Sequence, residues 1–209
     1  MPAYSLVIFD FDGTLADSFP WFCSVLDQTA DKFGLNRVKP EEIESLREHS
    51  SREALNRLGV PMWKLPAIAN YMRGLAVEGI SAIPLFPGAG ATLAALHRGG
   101  VRLALVSSNA EAAVRAVLGP ASDLIDRYAC GSSLWGKASK FRSVLRGLGA
   151  DHSQTLAIGD EIRDIDAARE AGLAAGAITF GYNSRQALAG HNPDYLFDDY
   201  DDLLSVVIG

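Results

Sequence analysis

The chain has 209 residues, with 19 Lys and Arg against 25 Asp and Glu and a formal net charge of −6. That balance argues against nucleic acid as a partner, because binding through the phosphate backbone needs a basic face. Hydrophobic residues make up 48% and charged residues 21%, which suits a globular chain rather than a disordered one, and no apolar run approaches the roughly 20 residues that span a membrane.

The N-terminus, MPAYSLVIFDFDG, lacks the basic region and small-residue cleavage site of a secretory leader. Cys23 and Cys130 are the only cysteines and form no CxxC pair. A reducing cytoplasm is therefore expected, with neither a disulfide framework nor a structural zinc site.

The first apolar run covers 5–9, short enough for a strand buried on both faces. Residues 18–83 then read as wholly helical, with helices expected over 21–33, 41–58 and 66–77. Pro84 and Phe86-Pro87-Gly88 punctuate the return. A helix over 89–97 stops at Gly99-Gly100, and a second strand covers 102–106. Next come a helix over 110–118, a weak strand at 128–131 and a helix over 137–148. Strands at 155–158 and 175–179 enclose a helix over 164–171, and a weak strand follows at 195–197. Strand and helix alternate as in βαβ units, so the fold class is α/β with a parallel sheet. The expected division is a core of 1–17 and 84–209 with a helical insertion of 18–83. An insertion after the first strand lies over the carboxyl ends of the strands, where open α/β sheets bind ligands.

Four features carry chemistry. Asp10 and Asp12 follow the first strand at i and i+2, on one side of an extended chain. Two acids near a core repel each other and lose hydration, and a divalent cation relieves both costs. Alone, such a pair is more often a surface turn bent by Gly13. Ser107 and Ser108 follow the second strand and can donate to phosphoryl oxygens; alone, such residues are more often a helix cap, here Ser108 or Asn109, and both roles can coexist. Gly136-Lys137, with Lys140 close by, offers a point cation. Asp160 and Asp164 follow the strand at 155–158, four residues apart on one helical face. Each feature ends a strand or opens a helix, so all can converge at one end of one sheet.

Together, DFDGTLADS (10–18), LALVSSN (103–109), GK (136–137) and IGDEIRD (158–164) resemble the haloacid dehalogenase-like hydrolase superfamily. FPGAGATLAAL (86–96) and DIDAAREAGLAAGAITFGYNS (164–184) look like its phosphatase branch, and the four motifs with the inserted helices resemble its phosphoglycolate-phosphatase-like members. The resemblance implies a Rossmann-like parallel sheet with an all-helical cap inserted after the first strand. It implies Asp10 as nucleophile forming an aspartyl-phosphate, and Asp12 as general acid and base with its carbonyl on the metal. It also implies Ser107 on a phosphoryl oxygen, Lys137 as neutralising cation, Asp160 on Mg²⁺ and Asp164 supporting it. An acid at Asp12 suits an oxygen leaving group, hence a small phosphorylated metabolite as substrate. A phosphosugar mutase of the same superfamily shares the set. A phospho-accepting switch module combines similar groups, but its acceptor follows a middle strand and it lacks such an insertion.

The chain departs from the branch where Ala138 follows Lys137 in place of Pro, which keeps Lys140 in view as a substitute. Arg47 and Arg52 are candidate substrate contacts in the cap's most polar stretch. Trp21, Phe22, Trp63 and Trp135 read as core or interface, and the acidic run 198–202 as a solvated turn capping the last helix. Monomer and dimer both fit.

Overall fold

The computed structural model describes residues 2–79, 82–131 and 136–209; Trp135 lies outside these. Strand β1 (Leu6–Phe9) is buried along its whole length. It pairs in parallel with β2 (Arg102–Val106) on one side and β4 (Thr155–Gly159) on the other. With β3 (Arg127–Ala129), β5 (Ala174–Ile178) and β6 (Tyr195–Phe197), the sheet runs β3-β2-β1-β4-β5-β6, and every pairing is parallel.

Alternation along β1 decides both layers. Val7 and Phe9 face one core with Leu93, Leu103, Leu105 and Leu203. Helices α5 (Ala89–Arg98) and α10 (Tyr200–Ile208) pack together over that face. Leu6 and Ile8 face the other core with Phe141, Val144, Ile165 and Ala168, contributed by α7 (Lys137–Leu148) and α8 (Ile162–Ala171). Helices α6 (Glu111–Leu118) and α9 (Arg185–Gly190) complete the described helices of the core. The sheet order reverses on either side of β1, which makes its carboxyl end a binding crevice.

Between β1 and α5 lie α1 (Phe19–Phe33), α2 (Pro40–Arg47), α3 (Ser51–Arg57) and α4 (Leu65–Glu78). The chain leaves the core at Asp17 and returns at Pro84, where the Asp17 N–H donates to the Pro84 carbonyl at 2.9 Å. The inserted helices hold a small core of their own, with Val60, Leu65 and Ile68 packed by Phe33, Leu55 and Met72.

Several expectations need correction. The single helix expected over 41–58 is two. Ser50 caps α3, its hydroxyl accepting from the Glu53 N–H while the Glu53 carboxylate accepts from the Ser50 N–H. This reciprocal cap starts a new helix rather than continuing the old one. Neither Ser108 nor Asn109 caps α6, whose cap position is Ala110. Trp63 is exposed rather than core. The acidic run 198–202 does cap the last helix: Asp199 accepts from the Asp202 N–H at 2.8 Å.

Candidate active site

The register brings the acids together. Phe9 lies between Leu105 and Ile158, so one residue further on Asp10 emerges at the sheet's crevice, near Ser107 and Asp160. Beyond it the chain turns tightly. Phe11 O accepts from the Leu15 and Ala16 N–H groups at 2.9 Å, and the Gly13 N–H reaches Ala16 O at 2.9 Å. Gly13 sits at φ +72°, and a side chain there would strike the Asp160 carboxylate. Thr14 donates its hydroxyl to Asp160 Oδ1 at 2.7 Å, and the Tyr182 N–H donates to Asp160 Oδ2 at 2.8 Å. The loops after β1 and β5 thus hold Asp160 from both sides.

Lys137 Nζ lies 2.7 Å from Asp10 Oδ2 and 2.6 Å from Asp164 Oδ1. Asp164 also accepts from the Asp160 and Glu161 N–H groups at 3.1 and 3.0 Å, at the first turn of α8. Lys140 Nζ instead lies 3.5 Å from the Cys130 carbonyl, so the geometry places Lys137 and not Lys140 among the acids.

Charge follows position. Burial raises the Asp10 carboxyl above its ordinary value, against the pull of Lys137. Burial and the neighbouring Asp164 raise Asp160 well above its own. Burial and Asp10 push Asp12 up to about 7. For Asp164, burial is outweighed by Lys137 and Arg163, and its carboxyl is held below the usual range. For Lys137, burial is outweighed by Asp10 and Asp164, and its ammonium is held above the usual range.

Asp10, Asp160 and Asp164 each present a carboxylate oxygen within 4.8 Å of the others. The donors are hard oxygens, without His or Cys, and two of the three acids resist ionising. That set fits a hard divalent cation. In cation-free protein, Asp10, Asp12 and Asp160 lose their protons at higher pH than they do in the unfolded chain. Stability is therefore expected to fall as pH rises from about 4 through about 7, where Asp12 ionises. Asp164 contributes in the opposite sense, only at the acid end. A saturating divalent cation, at about 100 times its Kd, is expected to add about 2.7 kcal/mol and to flatten the slope. Thermal unfolding across this pH range, in EDTA and in Mg²⁺, checks both.

The remaining candidates are placed as follows. Ser107 is buried at the end of β2, and its Oγ accepts from the Asn109 N–H at 3.0 Å. Ser108 faces a cavity of about 340 Å³ that opens beside Asp12 between the inserted helices and the core. Trp21 and Phe22, expected as core or interface, are on that cavity's wall, as is Arg47. The Arg47 guanidinium is engaged, donating to Gly181 O at 2.9 Å and to Tyr182 O at 3.1 Å and pairing with Glu44. Arg52 is exposed and stands off the wall.

Five residues carry site structure that their spacing in the sequence had not marked as part of the site. Thr14 and Tyr182 hold Asp160, and Asn109 Nδ2 donates to Asp12 Oδ2 at 2.7 Å. Asn183 accepts from the Ile162 N–H at 2.9 Å and donates to the Arg47 and His49 carbonyls, each at 2.8 Å. Ser51 donates to Glu161 alongside it. This clasp fastens the α2–α3 corner to the mouth of the site. Asn183→Ala is expected to cost about 1–3 kcal/mol, since it strands the Ile162 N–H and the His49 carbonyl while the Arg47 carbonyl keeps the Ser184 N–H, and to speed proteolysis near residue 49. Urea unfolding and limited proteolysis measure the two effects.

A family model for haloacid dehalogenase-like hydrolases matches residues 7–178. The phosphoglycolate phosphatase of Synechococcus elongatus is 32% identical, over 96% of this chain and 96% of its own length. That of Vibrio cholerae is 30% identical, over 100% and 99%. A haloacid dehalogenase-like hydrolase from Streptococcus pneumoniae has the same fold, with a TM-score of 0.80 at 21% identity over 97% and 98% of the two chains. The family match runs from Val7 in β1 to the end of β5 and includes all four acids of the crevice, so the chain belongs to the haloacid dehalogenase-like hydrolases, in their phosphoglycolate-phosphatase-like branch.

Proposed function

We propose that the protein is a Mg²⁺-dependent phosphatase that hydrolyses a small phosphomonoester through an aspartyl-phosphate on Asp10. The observation that carries this reading is the Asp10–Lys137–Asp164 chain of contacts beside Asp160 at the carboxyl ends of β1 and β4.

Lys137 occupies Asp10 Oδ2 and leaves Oδ1 to attack phosphorus in line with the leaving oxygen. Asp12, with its carboxyl at about 7, carries a proton on a large fraction of molecules near neutrality and gives it to the leaving alkoxide. Once ionised, it takes a proton from the water that opens the aspartyl-phosphate. Asn109 holds Asp12 in place through its Oδ2. Ser107 and Ser108 hold phosphoryl oxygens, and Lys137 neutralises charge on the transferred group. Asp10, the Asp12 carbonyl and Asp160, supported by Asp164, would hold Mg²⁺, which when bound would supply further neutralisation of phosphoryl charge. Cys23 and Cys130 are free thiols, which suits a reducing, cytoplasmic setting.

Phosphate release from p-nitrophenyl phosphate tests the reading. Activity in Mg²⁺ that EDTA abolishes is expected. Equal rates in both conditions overturn the metal requirement, and transfer without net phosphate release overturns the hydrolase. The relatives' names make 2-phosphoglycolate the first metabolite to assay.

A further inference from the structure

The crevice that receives the phosphoryl group opens into the 340 Å³ cavity beside Asp12. This volume lies within the roughly 300–1,000 Å³ typical of small-molecule sites. A two-carbon acid fills only a small part of it. Phe22, Leu26, Leu46, Leu55, Ile68 and Met72 make much of the wall, so most of the lining is hydrocarbon.

The wall's cations are largely committed. Arg47 is spent on two backbone carbonyls and Glu44. Arg163 is paired with Glu161, though its buried Nε has no partner among the described residues. Arg73, on α4, and the imidazole of His49 are left to meet a second anion. A carboxylated leaving group would have to shed its hydration against mostly hydrocarbon, which is unfavourable without a paired charge.

Resting on the phosphomonoesterase reading, we propose that the preferred leaving group is apolar and larger than a two-carbon acid. The substrate class is an alkyl phosphomonoester whose hydrocarbon part fills the cavity, with its ester oxygen at Asp12. Burying each methylene there is favourable by the ordinary hydrophobic increment. The unpartnered Arg163 Nε provides for one polar atom on such a chain, such as an ether or hydroxyl oxygen.

The test uses the full chain in Mg²⁺ and measures phosphate release from the n-alkyl phosphates, methyl through hexyl, and from 2-phosphoglycolate. Leaving-group basicity is nearly constant along the alkyl series, so the trend reports the cavity. The expected result is a kcat/KM rising about fourfold per methylene over the first few carbons, with butyl phosphate ahead of 2-phosphoglycolate. Ala69→Trp, on the half-buried wall of α4, is expected to lower the hexyl-to-methyl ratio at least tenfold. The native series carries the test even if that variant does not fold. A flat or falling series, with 2-phosphoglycolate the best substrate and lost in Arg73→Ala, overturns the proposal and leaves the phosphatase reading standing. No release from any ester overturns both.

Discussion

Asp10→Asn is expected to lower phosphate release by about a thousandfold or more, because a neutral amide oxygen cannot form the acyl phosphate. The fold should survive. Burial raises the Asp10 carboxyl, so its ionised form opposes folding above the pH where an unfolded Asp has lost its proton. Asparagine has nearly the same shape and carries no such penalty. Lys137 keeps Asp164 at 2.6 Å as its counter-charge. Thermal unfolding at pH 8 in EDTA should give a midpoint within a few degrees of the native protein. Full activity in a correctly folded variant would sink the assignment of Asp10 as nucleophile.

Lys137→Ala is expected to damage both stability and rate. The ammonium bridges two carboxylates, and its side chain is 14% exposed against 7% for Asp10 and 5% for Asp164. Removing one member of a buried charge cluster leaves the others uncompensated, at about 3–5 kcal/mol. The loss should be largest without metal and at high pH, where both acids are ionised. At low pH protonation relieves it, and bound Mg²⁺ restores part of the missing positive charge. Turnover should fall by about 10²–10³-fold even with Mg²⁺ saturating, since a fixed donor to the developing phosphoryl charge is gone. Urea unfolding in EDTA at pH 5 and pH 8 separates the stability effect from the kinetic one. Lys140→Ala serves as the contrast, because among the described residues its ammonium reaches only the Cys130 carbonyl. Its rate should stay within about threefold of native, as surface charges contribute little.

The sheet was legible in the sequence because strands buried on both faces leave continuous apolar runs. The expected strand at 102–106 matches β2 residue for residue, and 195–197 matches β6. At 128–131 the run is short and partly exposed, and the expected strand lies one to two residues late against Arg127–Ala129. The break between α2 and α3 was also written locally, as Ser50-Ser51-Arg52-Glu53, a capping box hidden inside a helical pattern of apolar residues. The acids of the site stood out because each followed a strand. Their holders did not. Thr14 reaches Asp160 across the sheet, and Asn183 reads as a turn residue until the inserted helices are placed against it. Arg47 shows the converse. Its charge drew attention as a substrate contact, while its geometry spends it on the Gly181 and Tyr182 carbonyls. Spacing along one chain identifies groups that share an element; it says little about groups joined only by packing.

The position of β1 also governs the order in which the molecule can be built. β1 precedes both of its partners in the chain and is a central strand of the finished sheet. Its neighbours, Arg102–Val106 and Thr155–Gly159, leave the ribosome long afterwards. The helices of 18–79 can meanwhile form from short-range contacts, such as those joining α1 to α4. A nascent chain therefore carries an apolar strand with both edges bare until Arg102–Val106 has emerged, the condition in which strands aggregate. Pulse amide labelling during refolding should show α1 and α4 protected before residues 6–9.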